Sequence, residues 1–412
     1  LGALTCLYAA QGIPFGFATE YLQVVLRQAG VSRLAIAVTG FLQFPWQVKF
    51  LWAGLADLPT VRPRSRGILL LLQLFLATLM VSHAFLGSPQ HPVPWFVLTA
   101  LAALTAATQD VFVDAFAVRT LSSEERAWGN AAQVGGYRLG MIVGGGGMLA
   151  LSGVVGERST LMASGVLVAA LSLTAFFLRD EEASCSVSRL TLPSYSYTGE
   201  VRTLVRHMVA GPALPVATLA LSYKLGLHAA AALIKPMLVD AHWSQEAIGS
   251  LAVSLGAVSA VAGSVVGGGL HRLLGERRAL QTGAVLQAGA ILPLVVAHAR
   301  GCPRSFTSAA IALEHAISGM GTAILFAALM SATQRSRAAL HYTLLTSLNA
   351  LAIGLGGLAG AALGDLFGPP VAFSVSASLC FVPWGLLRGW DAHAKASSEE
   401  TRDRPSETPS LR

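Results

Sequence analysis

Ala107-Thr108-Gln109-Asp110-Val111-Phe112-Val113-Asp114-Ala115, with its continuation Tyr137-Arg138-Leu139-Gly140, decides what kind of chain this is. Two carboxylates stand four residues apart near the end of a long apolar run, and a guanidinium lies inside the next one. Four apart on a helix is the same face, so Asp110 and Asp114 are neighbours. Unpaired charges inside lipid-spanning runs cost on the order of several kcal/mol each. Such groups are paired, or they face a bundle interior or a wet cavity, which makes this stretch the place to look for function.

Composition agrees with a membrane setting. Of the 412 residues 54% are hydrophobic and 12% charged, about half the charged share of a soluble domain. The mean hydropathy is +0.61. A soluble chain of this length would form two or three domains, and there is too little charge to cover them. The net charge of +7 does not point to nucleic acid, because Lys and Arg are scattered over short connectors. Cys6, Cys185, Cys302 and Cys380 show neither disulfide nor metal spacing, so no metal or other cofactor is expected. Leu1 already lies in a helix-like run; a short missing N-terminal piece is expected, and no cleavable signal peptide is read.

About twenty apolar residues cross a bilayer, and that ruler gives twelve spans. They lie near 1–26, 34–56, 67–86, 95–118, 127–155 and 159–178, then 212–234, 245–270, 279–299, 305–331, 340–363 and 371–387. The expected fold is an all-α membrane protein of twelve transmembrane helices in two six-helix halves. The halves are 1–178 and 212–387, with a polar cytoplasmic linker at 179–211 and a disordered tail at 388–412. Of the 28 Lys and Arg residues, 19 fall in connectors on one side, 6 on the other and 3 within spans. The basic side is expected to be cytoplasmic, with both termini inside. A weak internal repeat places Asp57, followed by Arg62, Arg64 and Arg66, against His271, followed by Arg272, Arg277 and Arg278. Paired halves are a secondary-transporter plan.

Twelve spans with an acidic-then-basic loop after spans two and eight resemble the major facilitator superfamily. The loop motif departs from the family pattern at Ala53, where glycine is expected, and at His271, where an acid is usual. More specific strings are Gln11-Gly12-Ile13-Pro14-Phe15-Gly16, Lys49-Phe50-Leu51-Trp52-Ala53, Thr108 to Asp114, Gly136-Tyr137-Arg138-Leu139-Gly140-Met141 and Tyr223-Lys224-Leu225-Gly226. With Gly319-Met320-Gly321-Thr322 and His341-Tyr342-Thr343-Leu344-Leu345-Thr346, they resemble the AmpG-type permeases, a group that includes acetyl-coenzyme A transporters. Gly129 to Val134 and His341 to Thr346 look closest to the animal group called major facilitator superfamily domain-containing protein 3. The resemblance implies major facilitator architecture and carriage of a muropeptide or acyl-nucleotide; for the animal group it implies a transporter of unsettled substrate.

Each charged site carries two readings. Asp114 and Asp57 are expected at an inner gate, with Asp114 salt-bridged to Arg62, Arg64 or Arg66. Asp110 lies one turn deeper, about 6 Å by helical rise, and Arg138 at comparable depth. An Asp110–Arg138 pair is expected, either as static glue or as a proton- or substrate-linked switch. Lys224, about mid-span in the seventh run, either binds an anionic substrate group or pairs with Glu314. Lys49, nearer a span end, snorkels or functions. Glu314 is a second proton-coupling candidate, and Gln109, Tyr137 and Tyr223 offer cavity hydrogen bonds.

The resulting expectation is a secondary carrier in the lipid bilayer, working by alternating access, for a polar organic anion such as an acyl-coenzyme A or muropeptide-like compound, with protons as a candidate coupling ion. A transport-dead scaffold or receptor on the same fold would show a cavity without charges. A membrane-embedded acyltransferase would need a His–Asp pair at catalytic spacing, which the sequence lacks. The orientation has its own test. Single cysteines in the linker or tail, in a background without the four native ones, should react with an impermeant thiol reagent only from the cytoplasmic side. Labelling from outside would reverse the topology.

Overall fold

The structure, a computed structural model, describes residues 1–31, 44–122, 124–177, 214–243, 251–334 and 337–387, plus isolated positions between them. All but four positions of the expected linker, all of the expected tail, and the first residues of the second and eighth spans lie outside the described residues. Among those described, every element is helical. We number them α1 (2–28), α2 (44–57), α3 (Arg62–Phe85), α4 (Pro92–Thr120), α5 (Arg126–Val155) and α6 (Glu157–Phe177). The second half has α7 (Leu214–Leu238), α8 (Ala257–Leu274), α9 (Glu276–Arg300), α10 (Arg304–Ser331), α11 (Ala338–Phe367) and α12 (369–386). Nine of them, α3 to α11, are long and apolar enough to cross a membrane. The other three occupy the places expected for spans one, two and twelve, consistent with twelve spans.

These sequences must be helical in lipid because the bilayer core offers no partner for backbone N–H and C=O groups. Side chains then decide the exterior. Leu71, Val154 and Leu358 are 69%, 83% and 71% exposed, as suits helices whose outer faces meet hydrocarbon rather than water. This is an integral multi-pass membrane protein.

Within each half, bare backbone brings helices together. A Cβ on Gly140 of α5 would fall on the carbonyl oxygen of Ala9 in α1, and one on Gly144 on that of Ile13. In the second half, a Cβ on Gly356 of α11 would meet the Leu225 carbonyl of α7, and one on Gly360 that of Ala229. All four residues of the second contact lie 216 positions after their first-half counterparts. The repeat, faint in the loops, is therefore built into the helix contacts. Small residues at such crossings permit the close van der Waals packing that drives association in lipid. Gly156 and Gly368, at φ 84° and 81°, turn α5 into α6 and α11 into α12 within a single residue.

The cores divide unevenly along the membrane normal. One hydrophobic cluster joins both halves, from Leu4, Tyr8 and Val113 to Met330, Leu340 and Leu345. It lies toward the basic loops. Beyond it each half has its own core: Phe17, Tyr21, Leu76 and Trp95 in the first, Leu227, Ile234, Ile291 and Phe373 in the second. The halves are sealed at the basic end and separately packed toward the other.

The glycine crossings give a direct test. Gly140→Val and Gly356→Val should each destabilise the purified protein by more than about 3 kcal/mol, because a backbone carbonyl cannot yield as a side chain does. Gly357→Val, at a position with open space, should melt within a few degrees of wild type. Equal melting of all three in detergent would refute the backbone-contact account.

Candidate substrate site between the two halves

Asp114 is the junction of four helices. Its carboxylate accepts hydrogen bonds from the Tyr8 hydroxyl of α1 at 2.8 Å, Lys49 Nζ of α2 at 3.3 Å and Gln133 Nε2 of α5 at 3.0 Å. Lys49 Nζ also lies 2.5 Å from Asp110, one turn along α4. Lys49 is 5% exposed, so it does not snorkel. It bridges the two carboxylates instead. The network reaches the second half, where the Tyr342 hydroxyl of α11 bonds Gln133 and Asn130, each at 3.4 Å.

This corrects two pairings expected from the sequence. Asp114 does not meet Arg62, Arg64 or Arg66, because it faces the bundle interior, where Tyr8, Lys49 and Gln133 engage it, while those residues sit at the start of α3. Arg64 donates to the Thr60 carbonyl at 2.6 Å and Arg66 to the Phe176 carbonyl at 2.9 Å. Nor does Asp110 pair with Arg138, because Lys49 occupies the place between the acids.

Asp57 makes the contact between halves at the basic side. It accepts hydrogen bonds from the backbone N–H groups of Ala339 at 3.1 Å and Leu340 at 2.9 Å, in the first turn of α11, and pairs with Arg119. A carboxylate at a helix N-terminus satisfies orphan donors and meets the positive end of the dipole. Burial holds the Asp57 carboxyl above its ordinary range, opposed by the Leu340 N–H, the Arg119 charge and the Ala339 N–H. Arg119, read from sequence only as a topology marker, is thus the cation of this contact. No local spacing signals it, because its acid lies in another helix. The repeat does not preserve the arrangement: His271 stands at the equivalent place, and its Nε2 is buried without a hydrogen-bond partner.

Above the Asp114 network a second group of charges crosses between the halves. Lys224 lies where α7 is interrupted by a turn at Tyr223-Lys224. Its buried ammonium donates to the Ser318 carbonyl at 2.8 Å and lies 3.0 Å from the Ser318 hydroxyl, and among the described residues no carboxylate is in ion-pair contact with it. Glu314 instead holds His315 Nδ1 at 2.8 Å. Adjacent positions on a helix point about 100° apart, yet the side chains bend to meet. Arg138 feels the field of Glu314, and Lys224 those of Glu314 and Arg138. His228, not singled out from the sequence, is close enough to feel Lys224, Arg138 and His315. Among the described residues the Arg138 guanidinium has neither a hydrogen-bond nor an ion-pair partner, although its flank is half-buried.

The remaining candidates separate. Gln109 Nε2 donates to the Leu7 carbonyl at 3.3 Å, while its Oε1 is buried and unpartnered, as are both polar atoms of Gln11. The Tyr137 ring packs 5.5 Å from that of Phe15, beside Arg138. Tyr223 is not offered to a ligand, since its hydroxyl donates to the Leu280 carbonyl of α9 at 3.1 Å. Among the described residues no group of three or more His, Cys, Asp or Glu could hold a metal ion.

Comparison with known proteins fits this architecture. The family model of the Major Facilitator Superfamily matches residues 1–339. The chain is 28% identical over 367 residues to the anhydromuropeptide permease of Escherichia coli K12, covering 84% of this chain and 71% of that one. It is 21% identical to the putative transporter AmpG 4 of Rickettsia conorii, covering 82% and 84%. Among solved structures it resembles the human organic anion transporter MFSD10, with a TM-score of 0.68, 14% identity and coverage of 94% and 98%. The proton:xylose symporter XylE gives a TM-score of 0.67 at 12% identity, with coverage of 94% and 95%. These relatives are transporters rather than enzymes. The chain therefore belongs to the major facilitator superfamily, as a secondary transporter of the AmpG type.

Proposed function

We propose that this transporter carries an organic anion of the muropeptide type and that Arg138 holds the anionic group of the substrate. The observation that carries the reading is the unpartnered Arg138 guanidinium in the middle of α5. A planar fork of five donors suits a carboxylate bidentately. Glu314, the acid whose field it feels, is engaged by His315, and Asp110 and Asp114 are engaged by Lys49. Lys224, at the break in α7, supplies further positive field; interrupted helices at the repeat interface are where such carriers bind. The name of the Escherichia coli relative makes a muropeptide the first substrate to try. A scaffold role fits poorly with a charge left open in this way.

Asp110, the more accessible of the two carboxylates bridged by Lys49, is the proton-coupling residue in this reading, with Glu314 as the second. The basic side is cytoplasmic, both termini lie inside, and residues 1–178 and 212–387 move as halves about the Asp57 contact. The seal at the basic end then belongs to the state open to the other side.

Uptake of labelled anhydromuropeptide into proteoliposomes tests the reading, with acyl-coenzyme A esters and nucleotides as competitors, with and without a pH gradient. Arg138→Gln should raise KM at least tenfold with little change in melting temperature. Lys49→Gln should do the opposite to stability, losing about 3–5 kcal/mol because it strands two buried acids. Wild-type KM in a well-folded Arg138→Gln protein would remove the guanidinium from the site.

The Asp57 contact makes a separate prediction. Asp57→Asn should weaken the α11 cap by about 0.5–2 kcal/mol. A cysteine at Thr343 should then be alkylated faster from the basic side. Unchanged labelling would show that the seal does not depend on this carboxylate.

A further inference from the structure

A cavity of about 710 Å³ lies at the seam of the two halves, away from the charged site. Phe50 of α2 forms one wall, Leu214 and Leu221 of α7 another, and Leu344, Leu351 and Leu358 of α11 the long one. Among the described residues none that lines it is charged. Leu351 and Leu358 are 53% and 71% exposed, so the groove opens outward from membrane-spanning helices rather than into the interior. Water does not reach such a wall in a bilayer, and a polar anion has no reason to enter it. Hydrocarbon fits it.

Length and charge narrow the occupant. From Leu344 to Leu358 the α11 wall runs about 21 Å by helical rise. One leaflet of hydrocarbon is roughly 15 Å deep, half of a core of about 30 Å. The groove therefore accommodates a whole acyl chain from a lipid of the basic-side leaflet. Val205, from the segment just before α7, also lines it. Arg202, Val205 and Arg206 are each helical and exposed. Arg202 and Arg206 bracket Val205 in the sequence, so two exposed basic residues accompany the one that lines the groove. Basic clusters at this level favour anionic lipids.

We infer that the groove between α2, α7 and α11 is a binding site for an anionic phospholipid, one acyl chain lying along α11 and the phosphate held by Arg202 and Arg206. The site is independent of the identity of the carried solute. Because its walls come from both halves, an occupied groove favours the sealed arrangement of the basic end. The bound lipid would act as a wedge whose loss frees the halves to move.

Gly354 provides a clean probe, since it lines the groove and a Cβ there meets nothing within 4 Å. Gly357 is equally open but does not line the groove. Native mass spectrometry of the full-length, delipidated protein with added dioleoyl-phosphatidylglycerol or dioleoyl-phosphatidylcholine reads the site directly. Wild type and Gly357→Leu should retain one phosphatidylglycerol at no less than tenfold higher occupancy than phosphatidylcholine. The Arg202→Gln/Arg206→Gln double variant should lose that preference, and Gly354→Leu should lose retention of both lipids. A melting temperature of Gly354→Leu close to wild type in plain detergent establishes that the fold is intact, and a Gly354→Ala variant serves if it is not. Retention of phosphatidylglycerol by a folded Gly354 variant overturns the groove assignment. An unchanged preference in the double arginine variant overturns the headgroup assignment, and a dimer that protects the groove makes the occupant a second copy of the chain instead.

Discussion

Lys49 between Asp110 and Asp114 is the interaction on which the first half is arranged. Three charges in a membrane-spanning bundle are tolerable only if each is neutralised and hydrogen-bonded, since breaking one partner of a buried set costs far more than the set contributes. The ammonium answers both acids, Tyr8 and Gln133 complete the Asp114 oxygens, and four helices are thereby fixed to one carboxylate. Tyr342 carries the network on to the second half. The consequence for function is indirect. With both acids engaged by Lys49, Arg138 is left open toward the seam between the halves.

The basic end is closed by a different kind of contact. Asp57 caps the first turn of α11 across the seam, so the end of α2 in one half holds a long helix of the other. Such a cap is strong enough to bias an equilibrium and weak enough to open, which a two-state carrier requires. Within each half, by contrast, α1 meets α5 and α7 meets α11 through backbone. Contacts of that sort have no alternative arrangement of similar energy, so motion is directed to the seam. The apolar groove lies along that same seam, where the bilayer itself can enter the balance.

Hydropathy determined the membrane setting, the placing of the spans and the division into halves to the extent described, because the length of an apolar run is a local property set by bilayer thickness. The same local logic marked Asp110, Asp114, Arg138, Lys224 and Glu314 as charges needing a reason. Their partners were not legible. Asp110 and Arg138 lie at similar depths, but depth along a helix says nothing about azimuth, and only the packing of α2 against α4 puts Lys49 between the acids. Arg119 was hidden for the same reason, since its acid is 62 residues away in sequence. The repeat was faint as loop residues and plain as glycine contacts offset by 216 positions, because backbone approach selects only for the absence of a side chain. Which charges pair, which one is left open, and where the halves touch are decided by helix rotation and packing, which a linear pattern does not encode.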